Sequence, residues 1–322
     1  MPVETSETKQ KVSLHTLLYK GMPHKMNYGI MYTIDVNNNV DTIKYEASVQ
    51  CLEIFPNNNA IFLINRTSKT YINDVEPELI ADILATKVAE VLYPMLLKTN
   101  DKGKILSIQN FQAIKERWAA KQQEILTYYQ GELVEKYLHL TGLSLQDENV
   151  LLHSLSTDWF LCTYFNTIYQ HSVTTAKTEK WVSFPLLGKS EPVVFKATQS
   201  IEEHYTEDNL LQLNIKGELA DERCKADLEN ELNFPYFGMN GAMPMATGSY
   251  RAQYYLDPVF YAVDMAYLEC EIELEEKKRV TVLIASLNAP KYKVTNENNY
   301  SFATEEVIEK KRKSFWQTLK IK

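Results

Sequence analysis

Residues 259–287 read VFYAVDMAYLECEIELEEKKRVTVLIASL, and the alternation inside this stretch decides the fold class. In an extended chain successive side chains point to opposite faces, so Leu268, Cys270, Ile272 and Leu274 share one face and Glu269, Glu271 and Glu273 the other. The segment Glu275-Glu276-Lys277-Lys278 then reverses the chain into a second run, Val280 to Leu287. Alternation this regular requires one buried and one wet face, the habit of an antiparallel sheet. One long strand is expected from Val259 to Leu274, after a turn at Asp257-Pro258. The three glutamates invite a reading as catalytic acids and bases, but that chemistry needs environments that separate their pKa values. Equivalent glutamates facing Lys277, Lys278 and Arg279 across a hairpin suit cross-strand charge pairing instead.

Working upstream, Tyr250, Ala252 and Tyr254 alternate with Arg251, Gln253 and Tyr255, and residues 193–198 and 210–215 read as further strands. The period of two begins at Trp181, and Phe234 to Gly241 reads as a loop. At the other end, Met26 to Val36, Thr42 to Ile54 and Ala60 to Asn65 read as three strands joined by turns at Asn37-Asn38-Asn39 and Pro56-Asn57-Asn58-Asn59. Between these blocks, roughly residues 74–171, the period is helical. Asn73 or Asp74 is expected to cap a helix carrying Leu79, Ile80, Ile83, Leu84, Val88, Val91 and Leu92, with Pro77 in its first turn and Pro94 ending it. A short strand, Lys104 to Gln109, returns to the sheet. A second helix starts after Asn110, carries Ile114, Trp118 and Ile125, and runs beyond Gly131 to Leu140, weakened at that glycine. A third starts at Asp147 and carries Leu151, Leu155, Trp159, Cys162, Phe165 and Tyr169 on a broad apolar stripe. The expected class is therefore α+β, with a curved antiparallel sheet from N- and C-terminal meanders packed around a central helical block. A polar arm (1–25) precedes the composite sheet (26–290), and a charged tail or helix (291–322) follows it.

The chain has 322 residues with 34 Lys+Arg against 42 Asp+Glu, a net charge of −8. That balance argues against nucleic acid or an anionic membrane as a general partner, since both are bound by clustered cations. Lys310-Lys311-Arg312-Lys313 with Phe315, Trp316 and Leu319 is a local exception, and the preceding Glu305, Glu306 and Glu309 give it the order of a solvated helix. No run of ~18 apolar residues occurs, so no transmembrane helix is expected. Met1 to Lys20 lacks the apolar core of a secretory signal, which points to a cytoplasmic location.

Reactive side chains form no recognisable constellation. Cys51, Cys162, Cys224 and Cys270 are widely separated, and the six histidines lack the spacing of metal ligands. Glu202-Glu203-His204 is the nearest approach to a metal site, and it lacks spaced partners. His153 lies nearly opposite Cys162 on a helix, so these two and Asp158 cannot form a nucleophilic relay, and Cys162 reads as a buried thiol. Gly238 and Gly241 lack the strand and helix of a phosphate cradle. Asn65-Arg66-Thr67 matches a glycosylation triplet, read as a chance match. The 20 tyrosines suit strands with one face against a core. No catalytic residue, metal or cofactor is assigned.

In element order, over residues 26–287, a meander, helices and a second meander ending in Asp257-Pro258 and a Lys-rich hairpin resemble the helix-filled half-barrels of lipoprotein-carrier type. The resemblance implies an apolar cavity between a concave sheet and the helices, lined by Trp159, Phe165, Tyr254 and Tyr261. The leading expectation is a non-enzymatic, soluble binding protein that uses a sheet–helix groove or the sheet surface for an apolar small ligand or a protein partner. A second is a cytoplasmic adaptor, chaperone or assembly factor for a secreted or multisubunit system. A third is a hydrolase whose site carries no recognisable motif. The oligomeric state is not legible.

Overall fold

The computed structural model describes residues 10–170, 177–188, 190–237 and 243–288. The charged C-terminal segment, including the expected basic helix, lies outside the described residues. The strands are β1 (Met26–Val36), β2 (Asn39–Ile54), β3 (Ala60–Arg66), β4 (Tyr71–Ile72), β5 (Met95–Thr99), β6 (Ile105–Ile108), β7 (Thr178–Phe184), β8 (Val193–Ile201), β9 (Leu211–Leu219), β10 (Thr247–Leu256), β11 (Val263–Glu273) and β12 (Lys278–Ser286). They form one open sheet in the order β6-β5-β3-β2-β1-β12-β11-β10-β9-β8-β7, with β4 beside β2 off this path. Every neighbouring pair is antiparallel. The helices are α1 (Ile80–Glu90), α2 (Phe111–Tyr128), α3 (Glu132–Ser144), α4 (Glu148–Ser156), α5 (Trp159–Tyr164) and α6 (Lys225–Glu229). The expected α+β class and sheet type are what the structure shows.

Two local rules set the hairpins. The β1–β2 turn holds Asn37 and Asn38 at φ 51° and 67°, the double left-handed turn whose twist matches flanking strands. On the outer face of the β11–β12 hairpin, Lys277 Nζ lies 2.8 Å from both Glu271 and Glu273, and Arg251 of β10 stands opposite Glu269. The glutamate row is therefore neutralised across strands. Pairing of β1 with β12, from Tyr28 opposite Ser286 to Val36 opposite Lys278, joins the two meanders into one sheet.

Ring contacts show how far that sheet curls. Trp159, at the start of α5, stacks on Phe184 of β7 at 6.4 Å and meets Tyr32 of β1 edge-on at 5.4 Å. β1 and β7 are six steps apart in the sheet, which would separate them by about 29 Å if it were flat. The sheet therefore wraps around α5, whose Phe160, Leu161 and Tyr164 are all buried. Strands on the other side also reach the same cluster, with Tyr45 of β2 6.5 Å from Phe160 and Phe62 of β3 5.2 Å from Phe165.

Several boundaries differ from the sequence reading. Asn73 and Asp74 do not cap α1. Both have positive φ and form the turn that follows β4, with Asp74 pairing Lys44 at 2.6 Å. Helix α1 starts only at Ile80. Strand β5, unread in the sequence, follows directly after Pro94. The second helix breaks at Gly131, which takes φ 118°, and α3 continues through Thr141-Gly142 to Ser144. The third breaks at Thr157-Asp158, where Asp158 accepts a hydrogen bond from the Leu161 amide at 2.8 Å and caps α5. β11 begins at Val263, not Val259, because Tyr261 adopts φ 54° inside a turn held by Asp257.

Candidate functional site

The space enclosed by sheet and α5 is filled with side chains. Tyr254 donates its hydroxyl to the Thr163 carbonyl at 3.0 Å and accepts from Asn166 at 2.9 Å. Asn166 also donates to the Tyr250 hydroxyl at 3.1 Å. Tyr28 donates to the Val263 carbonyl at 2.6 Å and lies 3.2 Å from the Tyr164 hydroxyl. Trp159 donates Nε1 to the Pro185 carbonyl at 2.8 Å. The Tyr261 carbonyl accepts from Tyr169 at 2.9 Å, and Lys20 sits 4.4 Å over the Tyr261 ring. Of the four residues expected to line a cavity, Phe165 borders a small recess. That recess is shared with Tyr19, Phe62, Tyr164 and Tyr169 and measures about 20 Å³, room for about one water molecule. Tyr254 and Tyr261 are buried in the core, and Trp159 is partly buried against it. Burial raises the hydroxyl pKa of Tyr28, Tyr32, Tyr45, Tyr169 and Tyr250 well above the ordinary value, so these groups act as neutral hydrogen-bonding links.

A larger opening lies where the sheet parts from the helices. After β3 the chain crosses residues 67–70, and α1 stands on the far side of a cleft of about 600 Å³, within the range of small-molecule sites. Its walls carry Pro77, Ile83 and Thr86 on the helix side and Thr67, Ser68 and Thr70 on the strand side, with Arg66, Tyr93 and Pro94 also in its lining. The segment at Pro94 is rigidly held. Arg117 of α2 donates to the carbonyls of Val91 (2.7 Å), Leu92 (3.3 Å) and Pro94 (3.0 Å), satisfying the orphan acceptors at the end of α1. Asn110 donates to the Pro94 carbonyl at 2.8 Å and accepts from the Leu96 amide at 2.9 Å.

Arg66 gives the cleft its chemistry. It ends β3 on the same parity as Phe62 and Ile64, so it belongs to the inner row of the sheet. Its guanidinium lies 4.3 Å over the Tyr45 ring and 5.8 Å from that of Tyr93. Arg223 and Arg279 each pair with a carboxylate, Asp221 and Asp35. Among the described residues Arg66 has no such partner, and its Nε and the hydroxyl of Thr70 are buried without a protein hydrogen-bond partner. The carboxyl of Asp158 feels the charge of Arg66. Burial raises the pKa of that carboxyl, opposed by the Leu161 amide and then by Arg66. Tyr45 is raised first by burial and then by Asp158, with Arg66 opposing. Tyr32 and Tyr45 share a 2.6 Å hydroxyl contact beside this group.

Sequence reasoning did not single out Arg66, Thr70 or Tyr93. A signal was present in the parity of Ala60, Phe62, Ile64 and Arg66, which sets a cation in an otherwise apolar row. The other groups weighed from the sequence stay apart. His153 is exposed on α4, 3.9 Å from Glu191, while Cys162 donates to the Trp159 carbonyl at 3.5 Å and its thiol pKa is pushed up by burial. Glu202 accepts from Asn214 at 2.6 Å, and the backbone of His204 bridges Lys11. Among the described residues no three His, Cys, Asp or Glu side chains converge as a metal would require, and no helix is long and apolar enough to cross a membrane.

No family model matches the chain, and no curated protein matches it. Among solved structures, the chain is similar to one titled for lipid–protein interactions in lipovitellin, at a TM-score of 0.38 and 10% identity. The match covers 88% of this chain and 26% of that one, so the chain spans about a quarter of the length of the protein it resembles.

Proposed function

We propose that the protein is a non-enzymatic binding protein whose small, partly apolar ligand enters the cleft between α1 and the end of β3. The observation that supports this reading is the contrast in occupancy. Among the described residues inside the sheet, the recess at Phe165 measures about 20 Å³, whereas the cleft offers about 600 Å³ bordered by an arginine that no described carboxylate pairs. Pro77, Ile83 and Pro94 supply apolar surface, and the threonines and Arg66 supply polar groups that orient a ligand. A fragment screen followed by amide chemical shifts of the full chain tests it. Hits should shift residues 66–70, 83–90 and 93; hits that cluster elsewhere and leave those amides unmoved would overturn it.

A second reading, a protein partner on the sheet surface, is favoured by a different place. Trp181 on the edge strand β7 is 65% exposed, and Phe234 and Tyr236 are 73% and 69% exposed. Trp181 and Pro235 border one shallow hollow, and clustered exposed aromatics are a mark of interaction surfaces. Trp181→Ser should abolish capture of a specific partner by the purified chain while leaving fragment binding in the cleft intact. Capture that survives this change would place the partner elsewhere.

A further inference from the structure

The partners of Arg66 determine which of its donors remain available. A guanidinium is planar, with five N–H groups pointing outward in its plane. The Arg66 Cζ lies 4.3 Å over the centre of the Tyr45 ring, a cation–π contact that occupies none of these donors. Among the described residues its Nε has no hydrogen-bond partner and no carboxylate pairs the group. An unpaired guanidinium fork is the arrangement that receives an oxyanion through two parallel N–H···O bonds.

The remaining charges of the cleft are already balanced. Lys69 holds Glu76 at 2.8 and 2.9 Å, and Lys87 reaches Glu124 at 3.4 Å. Glu90 is held by Lys121 at 3.4 Å. Arg66, Lys69 and Lys87 against Glu76 and Glu90 leave one positive charge among the lining residues. The field of Asp158 reaches Arg66 from the core side, but its carboxylate caps α5 and lies beyond ion-pair distance. Thr70 also lines the cleft, and its hydroxyl, buried behind the surface, has no protein partner and is a further donor if the side chain turns outward.

We propose that the ligand of the cleft is an anion, a small molecule with a carboxylate or phosphate at one end, held by the guanidinium of Arg66 on the wall that Thr70 shares, its apolar remainder lying along Pro77, Ile83 and Pro94. This assignment rests on the cleft being the ligand site, and it adds the charge class. Lysine would not serve equally, because a point charge lacks the fork and stacks less well on Tyr45.

Calorimetric and amide-shift titrations of the full chain with hexanoate, hexyl phosphate, inorganic phosphate and uncharged hexanamide test the proposal. The charged hexyl probe that fits should bind at least about tenfold more tightly than hexanamide and shift amides 66–70 and 83–90. The ranking of hexanoate against the two phosphates identifies the headgroup. Arg66→Gln should erase the preference for charge, and Arg66→Lys should retain part of it. In the unaltered protein the affinity of the charged probe should fall as ionic strength rises while that of hexanamide stays constant, a readout that survives if Arg66→Gln does not fold. Equal binding of hexanamide and the anions in the cleft would overturn the anion assignment and leave the cleft as a ligand site. Binding of the anions with no shift at those amides would overturn both. Undiminished anion preference in a folded Arg66→Gln variant would remove Arg66 from the role.

Discussion

The space around α5 and the cleft beside α1 are built from the same inner face of one sheet, yet they are finished differently. Around α5, tyrosine rings from β1 and β2 meet aromatic rings of the helix, and the hydroxyls of Tyr28 on β1 and Tyr254 on β10 find partners on Val263, Thr163 and Asn166. At the end of β3 the same inner row terminates in Arg66, and the facing helix stands off. Polar groups there lack protein partners. Thr163 Oγ1 on α5 is also buried without a partner, so what separates the two regions is the open volume at the end of β3 and the arginine on its wall, not the count of unpaired atoms.

The contrast breaks first if the enclosed region proves loosely packed. Phe160 is fully buried on α5, against Tyr45 and Tyr164. Phe160→Ala should cost about 3–5 kcal/mol, measured by urea unfolding with an unchanged m-value. A cost below about 1 kcal/mol would mean that the neighbours collapse into the gap, and the interior could then open for a ligand. Asn166→Ala is the next largest effect. It removes the donor to both Tyr250 and Tyr254 and should cost about 1–3 kcal/mol. Combining it with Tyr254→Phe should give less than the sum of the single changes, because the two residues share one network.

These residues also mark how far the sequence could be read. Alternation in β11 and the lysines after it foretold both the sheet and the pairing of Glu271 and Glu273 with Lys277, because period and charge act locally. Asn37 and Asn38 foretold their turn for the same reason. Asn73 and Asp74 misled because the turn they make and a helix cap draw on the same side chains, and the choice was made by a distant strand through Lys44. Strand β5 escaped because five residues after a proline carry too little periodicity. The enclosure was anticipated in outline, but whether rings fill it depends on how far the sheet curls, which no single strand encodes. Arg66 was legible only as a break in parity, and its lack of a carboxylate is a fact of three dimensions.

A cation at the margin of the packed region sharpens the comparison through pH. Lys180 of β7 donates to the Thr167 carbonyl at 2.7 Å and to Gln199 Oε1 at 3.1 Å, and burial lowers its pKa to about 8. The unfolded value is ~10.4. Between these the unfolded chain holds a proton that the folded chain has released, so this group makes stability rise as pH increases from about 8. The buried tyrosines, raised well above 10, oppose the trend once pH passes ~10. Urea unfolding over this range should show a rise in the unaltered protein that Lys180→Met lacks. Identical slopes in the two proteins would assign the proton elsewhere.

The smallest expected effect separates the two regions most cleanly. Thr70→Val keeps the shape of the side chain and removes a hydroxyl that no described protein group pairs. Around α5 the loss of a hydrogen-bonding group breaks a network, whereas here it removes an uncompensated polar atom, so stability should change by no more than about 0.5 kcal/mol. Affinity for the charged hexyl probe should nevertheless fall, by about fivefold if the hydroxyl donates one hydrogen bond to it. A stability loss above about 1 kcal/mol would show that Thr70 is satisfied within the protein, making the strand wall of the cleft as self-sufficient as the region around α5. Unchanged stability with unchanged affinity would leave Arg66 as the sole polar anchor, because the fork alone would then account for the whole of the anion preference.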